Sequence, residues 1–199
     1  MKQYKNPKLR SLYESLLTMQ ESPLYAHRKE HNYLPVLGEG NENANIMFIG
    51  EAPGQKEAET GRPFVGAAGK MLDELLAGIG LKREDVFISN IINDRPPQNR
   101  DPQPAEIALY SPVLAQLIRI IKPNVVATLG RFSMQYMLEK CKLPESGQTI
   151  TTLHGNILPV TVSYGTLHLI PLYHPAVALY NSNMKKVLQK DFEVLKQFS

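Results

Sequence analysis

The sequence predicts an α/β protein, a three-layer α/β/α sandwich around a central, mostly parallel sheet of about four strands. Three observations predict it. Short apolar runs end in glycine, as at 46–49 before Gly50 and 125–129 before Gly130, and suit buried strands. Stretches with apolar residues at helical spacing alternate with those runs. No repeat, low-complexity run or linker interrupts the 199 residues, so one domain over 1–199 is expected.

Element by element, Leu9, Leu12, Tyr13, Leu16 and Leu17 give a helix over 6–19. Residues 21–45 are polar, contain Gly38 and Gly40, and read as a long loop. The strand at 46–49 follows. A helix over 70–79 has apolar residues at 71, 72, 75, 76 and 79, and Gly80 stops it. A second strand begins at 86–88, and 96–104 is a proline-rich loop. Pro104 precedes a helix over 105–121 with Ile107, Leu114, Leu117, Ile118 and Ile121 on one face. The strand at 125–129 leads to a helix over 132–138. Residues 150–162 read as one or two strands around Gly155. A strand at 167–170, a loop at 171–175 and a closing helix over 183–198 complete the chain.

Composition narrows the function. Hydrophobic residues make up 43% and charged residues 21%, an ordinary globular balance. No run of about 18 purely apolar residues predicts a membrane span, and MKQYKNPKLR lacks the apolar core of a signal peptide. A cytoplasmic monomer without membrane association is expected. Cys141 is the single cysteine, which excludes an internal disulfide and a multi-thiolate metal site. The net charge of +3 is compatible with an anionic partner and no more. A Walker lysine and a GxGxxG after the first strand are both missing, which argues against a common nucleotide-binding protein.

In parallel α/β sheets, ligands sit beyond the carboxyl ends of the strands. Four segments follow strands here: 50–69, 90–104, 130–131 and 173–181. They hold Gly50-Glu51-Ala52-Pro53-Gly54 with Glu57 and Gly61-Arg62-Pro63-Phe64-Val65-Gly66; then Ser89-Asn90 with Arg95 and Asn99-Arg100-Asp101-Pro102; then Tyr173-His174-Pro175-Ala176 with Leu179 and Asn181. In this order and spacing, the motifs resemble the uracil-DNA glycosylase superfamily, and within it the class called family 4, over nearly the whole chain from about Pro23.

The resemblance implies an enzyme that flips uracil out of DNA and hydrolyses its glycosidic bond. It implies that Phe64 stacks on the base, with Gly50, Ala52, Pro53 and Gly54 beside it. Asn90 would read uracil, because one amide both accepts from N3–H and donates to O4. An asparagine at a strand end more often caps a turn. His174 would donate to O2 of the departing uracil, and Glu51 would orient water and balance the cationic sugar. Glu51 or its neighbours would also supply the bulk that excludes thymine. Some other classes of the superfamily place a catalytic aspartate where this chain has Ala52. Arg62, Arg95, Arg100, Arg131, Lys185 and Lys186 would contact phosphates, and Leu179, after Pro175, would be the apolar wedge. Tyr180 stands where many relatives have arginine. His27, His31, His154 and His168 match no site motif. A relative that binds without cleaving, and a glycosylase for another deaminated base, are the competing readings.

Family 4 members hold an iron–sulfur cluster with four cysteines. The corresponding positions here are Met19, Ser22, Asp94 and Tyr110, none a thiolate, so no cofactor and no metal are expected. Met19 and Tyr110 are expected to fill the vacated volume, and Asp94 to find a basic or hydroxyl partner or reach solvent.

Overall fold

A computed structural model describes residues 4–199. Its helices are α1 (Pro7–Leu17), α2 (Tyr25–Glu30), α3 (Gln55–Thr60), α4 (Ala67–Gly78), α5 (Pro104–Ile121), α6 (Arg131–Lys140), α7 (Ile150–Leu153), α8 (Val177–Tyr180) and α9 (Ser182–Glu193). Its strands are β1 (Glu39–Gly40), β2 (Ile46–Gly50), β3 (Phe87–Asn90), β4 (Val125–Leu129), β5 (Leu158–Val162) and β6 (Gly165–Leu172). They form one six-stranded sheet in the order β1-β3-β2-β4-β6-β5. The inner four are parallel, and β1 and β5 are antiparallel edges. The expected four-strand parallel sheet is therefore the centre of a larger mixed one.

Strand alternation divides the core into two layers. Met47 and Ile49 of β2 and Val126 of β4 pack with Leu9 and Leu16 of α1, Tyr110 and Leu117 of α5, and Met134 of α6. Ile46 and Phe48, with Val125 and Ala127, face Leu72 and Leu76 of α4 and Leu188 and Phe192 of α9. β2 and β4 are buried at every position, on both faces, which is why they read as near-continuous apolar runs.

The helix starts have local causes. Asn6 caps α1 through the Lys8 amide, with Pro7 in the first turn. Gln103 and Glu106 form a capping box on α5. Helix α5 has 18 residues and a mean hydropathy of 1.2, enough by length and composition to cross a membrane. That qualifies the reading that no segment is apolar enough. Here its apolar face, including Tyr110, Leu114 and Leu117, lies in the first core layer.

Several expectations need correction. The 21–45 loop contains α2 and β1, and the segment after β2 contains α3. These pieces are too short to carry a periodic signal. Residues 150–153 are a helical turn rather than strand, with Leu153 buried, and only Leu158–Val162 pairs, against β6. The closing helix ends at Glu193 and continues as a 3₁₀ turn over Val194–Phe198.

The four positions matched to cluster cysteines do not fit an iron–sulfur cluster, since they offer no thiolate and a protein network joins three of them. Tyr110, fully buried, donates its hydroxyl to Asp94 Oδ2 at 2.6 Å and lies 2.7 Å from Ser22 Oγ. Arg28 donates to both Asp94 oxygens at 3.0 and 3.1 Å, and to the Leu16 and Leu17 carbonyls at the end of α1. Asp94 thus finds both a basic and a hydroxyl partner. Met19 fills less than expected, being half-buried against the first core layer.

Candidate active site

The carboxyl ends of β2, β3 and β6 open onto a cavity of about 440 Å³ lined by Glu51, Ala52, Pro53, Gly54, Glu57, Phe64, Ala68, Asn90, Pro96, Asn99, Arg100, His174 and Ala176. Three of the four strand-end segments supply its wall. The fourth contributes Gly130, whose φ of +101° is left-handed and where an added Cβ would lie 3.3 Å from His174 Cβ.

Asn90 ends β3 opposite Gly50 of β2. Its side chain is buried, at 2% exposure, and Oδ1 has no hydrogen-bond partner. A buried amide oxygen left bare costs about 1–3 kcal/mol, so it calls for a donor from the cavity. Gly50 must be glycine: a Cβ there would lie 2.5 Å from Asn90 Oδ1 and 2.7 Å from the Phe64 ring. The backbone beyond is pinned by bonds from the Ile91 amide to the Gly50 carbonyl and from the Ile92 amide to the Glu51 carbonyl.

Phe64 is held in the left-handed region, at φ 52°. For a non-glycine residue this costs about 1–2 kcal/mol and persists only where surroundings enforce it. Glu57 Oε1 accepts from the Val65 and Gly66 amides at 2.8 and 2.9 Å. Arg83, in the turn before β3, donates to the Pro63 and Phe64 carbonyls. Gly69 admits the loop, since a Cβ there would lie 1.8 Å from the Phe64 carbonyl oxygen. The Phe64 ring lies 5.7 Å from the His174 ring, tilted by 32°.

His174 accepts from the Ala176 amide through Nδ1, at 3.2 Å. Desolvation pushes its pKa below the ordinary histidine value, so the ring is neutral near pH 7. With Nδ1 accepting, the proton resides on Nε2, a donor. Glu51 behaves in the opposite sense: burial first, then the Asp101 charge, raise its carboxyl to about 7, against a lowering pull from Arg131.

The other predicted site residues, Arg100 excepted, lie apart from the cavity wall. Arg62 is exposed and paired with Glu39 at 2.9 Å. Arg95 bonds Tyr33 Oη and Asn99. Arg100 lines the cavity but binds Glu106 through two bonds, at 2.6 and 2.9 Å. Arg131 pairs with Asp101 and Lys185 with Glu74. Lys186 has no ion-pair partner among the described residues, and Leu179 is exposed. Pro175 is buried and serves the turn after β6. The Gly66 amide donates to Glu57. His154 bonds Asp191.

Sequence reasoning gave Glu57 no role and passed over Arg83 and Arg28. Glu57 had a signal, its place inside the first motif. Arg83 and Arg28 had none, because their partners are backbone carbonyls and a distant aspartate.

Residues 37–196 match the sequence profile of the Uracil DNA glycosylase superfamily. The chain is 41% identical over 192 residues to a type-4 uracil-DNA glycosylase of Sulfurisphaera tokodaii, covering 96% of this chain and 84% of that protein. It is 45% identical over 179 residues to a protein of the same description from Saccharolobus solfataricus, covering 89% and 80%. A third, from Archaeoglobus fulgidus, is 43% identical over 167 residues, covering 84% and 82%. With motifs, fold and similarity in agreement, the chain belongs to the uracil-DNA glycosylase superfamily.

Proposed function

We propose that this protein is a uracil-DNA glycosylase, which takes uracil from DNA into the strand-end cavity and hydrolyses its N-glycosidic bond, leaving an abasic site. The observation that carries the reading is the bare, buried Asn90 Oδ1 beside the Phe64 ring. Uracil N3–H is the donor that oxygen lacks, and the same amide donates to O4. Cytosine presents an acceptor at N3 and leaves the oxygen unpaired, which a buried site penalises strongly.

The chemistry follows from the remaining wall. Phe64 stacks on the flipped base. As the bond to C1′ breaks, negative charge gathers on uracil O2, and His174 Nε2–H stabilises it without being charged itself. Glu51, once ionised, orients water toward C1′ and balances the cationic sugar. Phosphates displace the exposed partners of Arg62, Arg131 and Lys185, since surface ion pairs are worth only about 0–1 kcal/mol. Residues 4–199 act as one domain and as a monomer, which gel filtration checks.

The test is release of free base from oligonucleotides carrying uracil, hypoxanthine, xanthine, thymine or cytosine. Uracil alone should be released efficiently. Tight binding of uracil-containing DNA without release would favour a non-cleaving relative, and preferential release of hypoxanthine or xanthine would reassign the substrate.

A further inference from the structure

We infer that Arg83, which lies outside every motif of the site, is a positioning residue for the base pocket: it sets the backbone twist that presents Phe64. This rests on the reading of Phe64 as the surface that stacks on uracil. The dihedrals φ and ψ of Phe64 together relate two peptide planes, one carrying the Pro63 carbonyl and the other the Phe64 carbonyl and the Val65 amide. One guanidinium grips both planes, bonding the Pro63 carbonyl and, at 3.1 Å, the Phe64 carbonyl. From the opposite side, Glu57 holds the second plane by the Val65 amide at 2.8 Å. Two charged side chains from different elements therefore fix a left-handed phenylalanine that the chain would not adopt unaided. Asp73 accepts a further bond from Arg83 at 3.1 Å. A planar, forked donor is what this task needs, since lysine reaches both carbonyls poorly.

The consequence concerns binding more than bond cleavage. Stacking acts on the base both before and during the reaction, so its loss appears mainly in half-saturation. Single-turnover uracil release, measured against enzyme concentration, gives the readout. Arg83→Met should raise the half-saturating concentration about tenfold, the scale of one lost base–aromatic stack, with the maximal rate within about twofold. Arg83→Lys should fall between it and wild type and guards against a misfolded methionine variant. Phe64→Ala should be at least as impaired, and Arg83→Met added to Phe64→Ala should cost nothing more, because both act through one ring.

A fall in maximal rate at unchanged half-saturation, or losses that multiply in the double variant, would overturn the assignment while leaving the glycosylase reading intact. Wild-type protein that releases no uracil would instead count against that reading. Independently of activity, a crystal structure of the Arg83→Met or Arg83→Lys protein should show Phe64 leaving the left-handed region in the first and partly displaced in the second. An unmoved Phe64 in Arg83→Met would overturn the inference whatever the substrate.

Discussion

His174 and Glu51 are tuned in opposite directions by the same burial, and each shift suits its task. The imidazole is kept neutral, with its proton on Nε2 because Nδ1 accepts from Ala176. His174→Ala should lower uracil release by about 10² or more while DNA binding survives, the usual cost of one oxyanion donor. Unchanged turnover would remove His174 from the chemistry. The Glu51 carboxyl must be ionised to act, and its pKa is raised to about 7. Release should therefore climb with pH through about 7 and then level. Glu51→Gln should flatten that acid limb and lower the rate by roughly 10² to 10⁴. Stability runs the other way. Between the ordinary value of 4.5 and about 7, the folded protein holds a proton that the unfolded chain has lost, so stability falls as pH rises through this window. Glu51→Gln should melt higher than wild type at pH 8, read by calorimetry, and a lower melting point would refute the buried-carboxylate account. Of these features, the motif made Glu51 and His174 visible in the sequence. Their protonation states were not, because they depend on what surrounds them in the fold.

At the scale of elements, the Ser22–Tyr110–Asp94–Arg28 network ties α1, α2, α5 and the segment after β3 together. Burial pushes the Asp94 carboxyl up, while the Tyr110 hydroxyl and the Arg28 guanidinium pull it down. Removing one member of a buried pair strands the other, at about 3–5 kcal/mol. Asp94→Ala should therefore lower denaturant stability by about that amount. Arg28→Met combined with Asp94→Leu should recover much of the loss, because no uncompensated charge remains. Tyr110→Ala should cost a similar amount, about 3–5 kcal/mol, as a large deletion from packing. Chemistry per folded molecule should change little in each case. Equal melting curves for Asp94→Ala and wild type would mean that the network fastens nothing. The sequence told that thiolates were missing and that Asp94 needed a partner, but Arg28, 66 residues away, had no local mark.

Across the whole molecule, two consequences can be measured. The purified protein should be colourless and free of stoichiometric iron, since the four positions carry no thiolate and the network occupies the space among three of them. An absorption band near about 400 nm with bound iron would contradict this. DNA affinity should fall with salt along a straight log–log line, because phosphate contacts release counterions. Lys186, which has no ion-pair partner among the described residues, should contribute about one unit of that slope, lost in Lys186→Ala. An unchanged slope would place Lys186 off the DNA path.

By itself the sequence determined the alternation of buried strands and amphipathic helices, the four parallel strands at the centre, and the residue types gathered at their ends. Those signals are local: period, caps and glycine stops are written in neighbouring residues. Tertiary structure decided the rest. It made 150–153 a helical turn, added the edge strand β1, set β5 antiparallel at the other edge, and gave Arg62, Arg100, Arg131 and Lys185 acidic partners within the protein. It also left Asn90 Oδ1 bare and brought Arg83 to the Phe64 carbonyl. The physical reason is common to all of these. Edge pairing, ion pairs and desolvation are set by groups that meet only after the chain has closed over long sequence distances, and no local pattern encodes them.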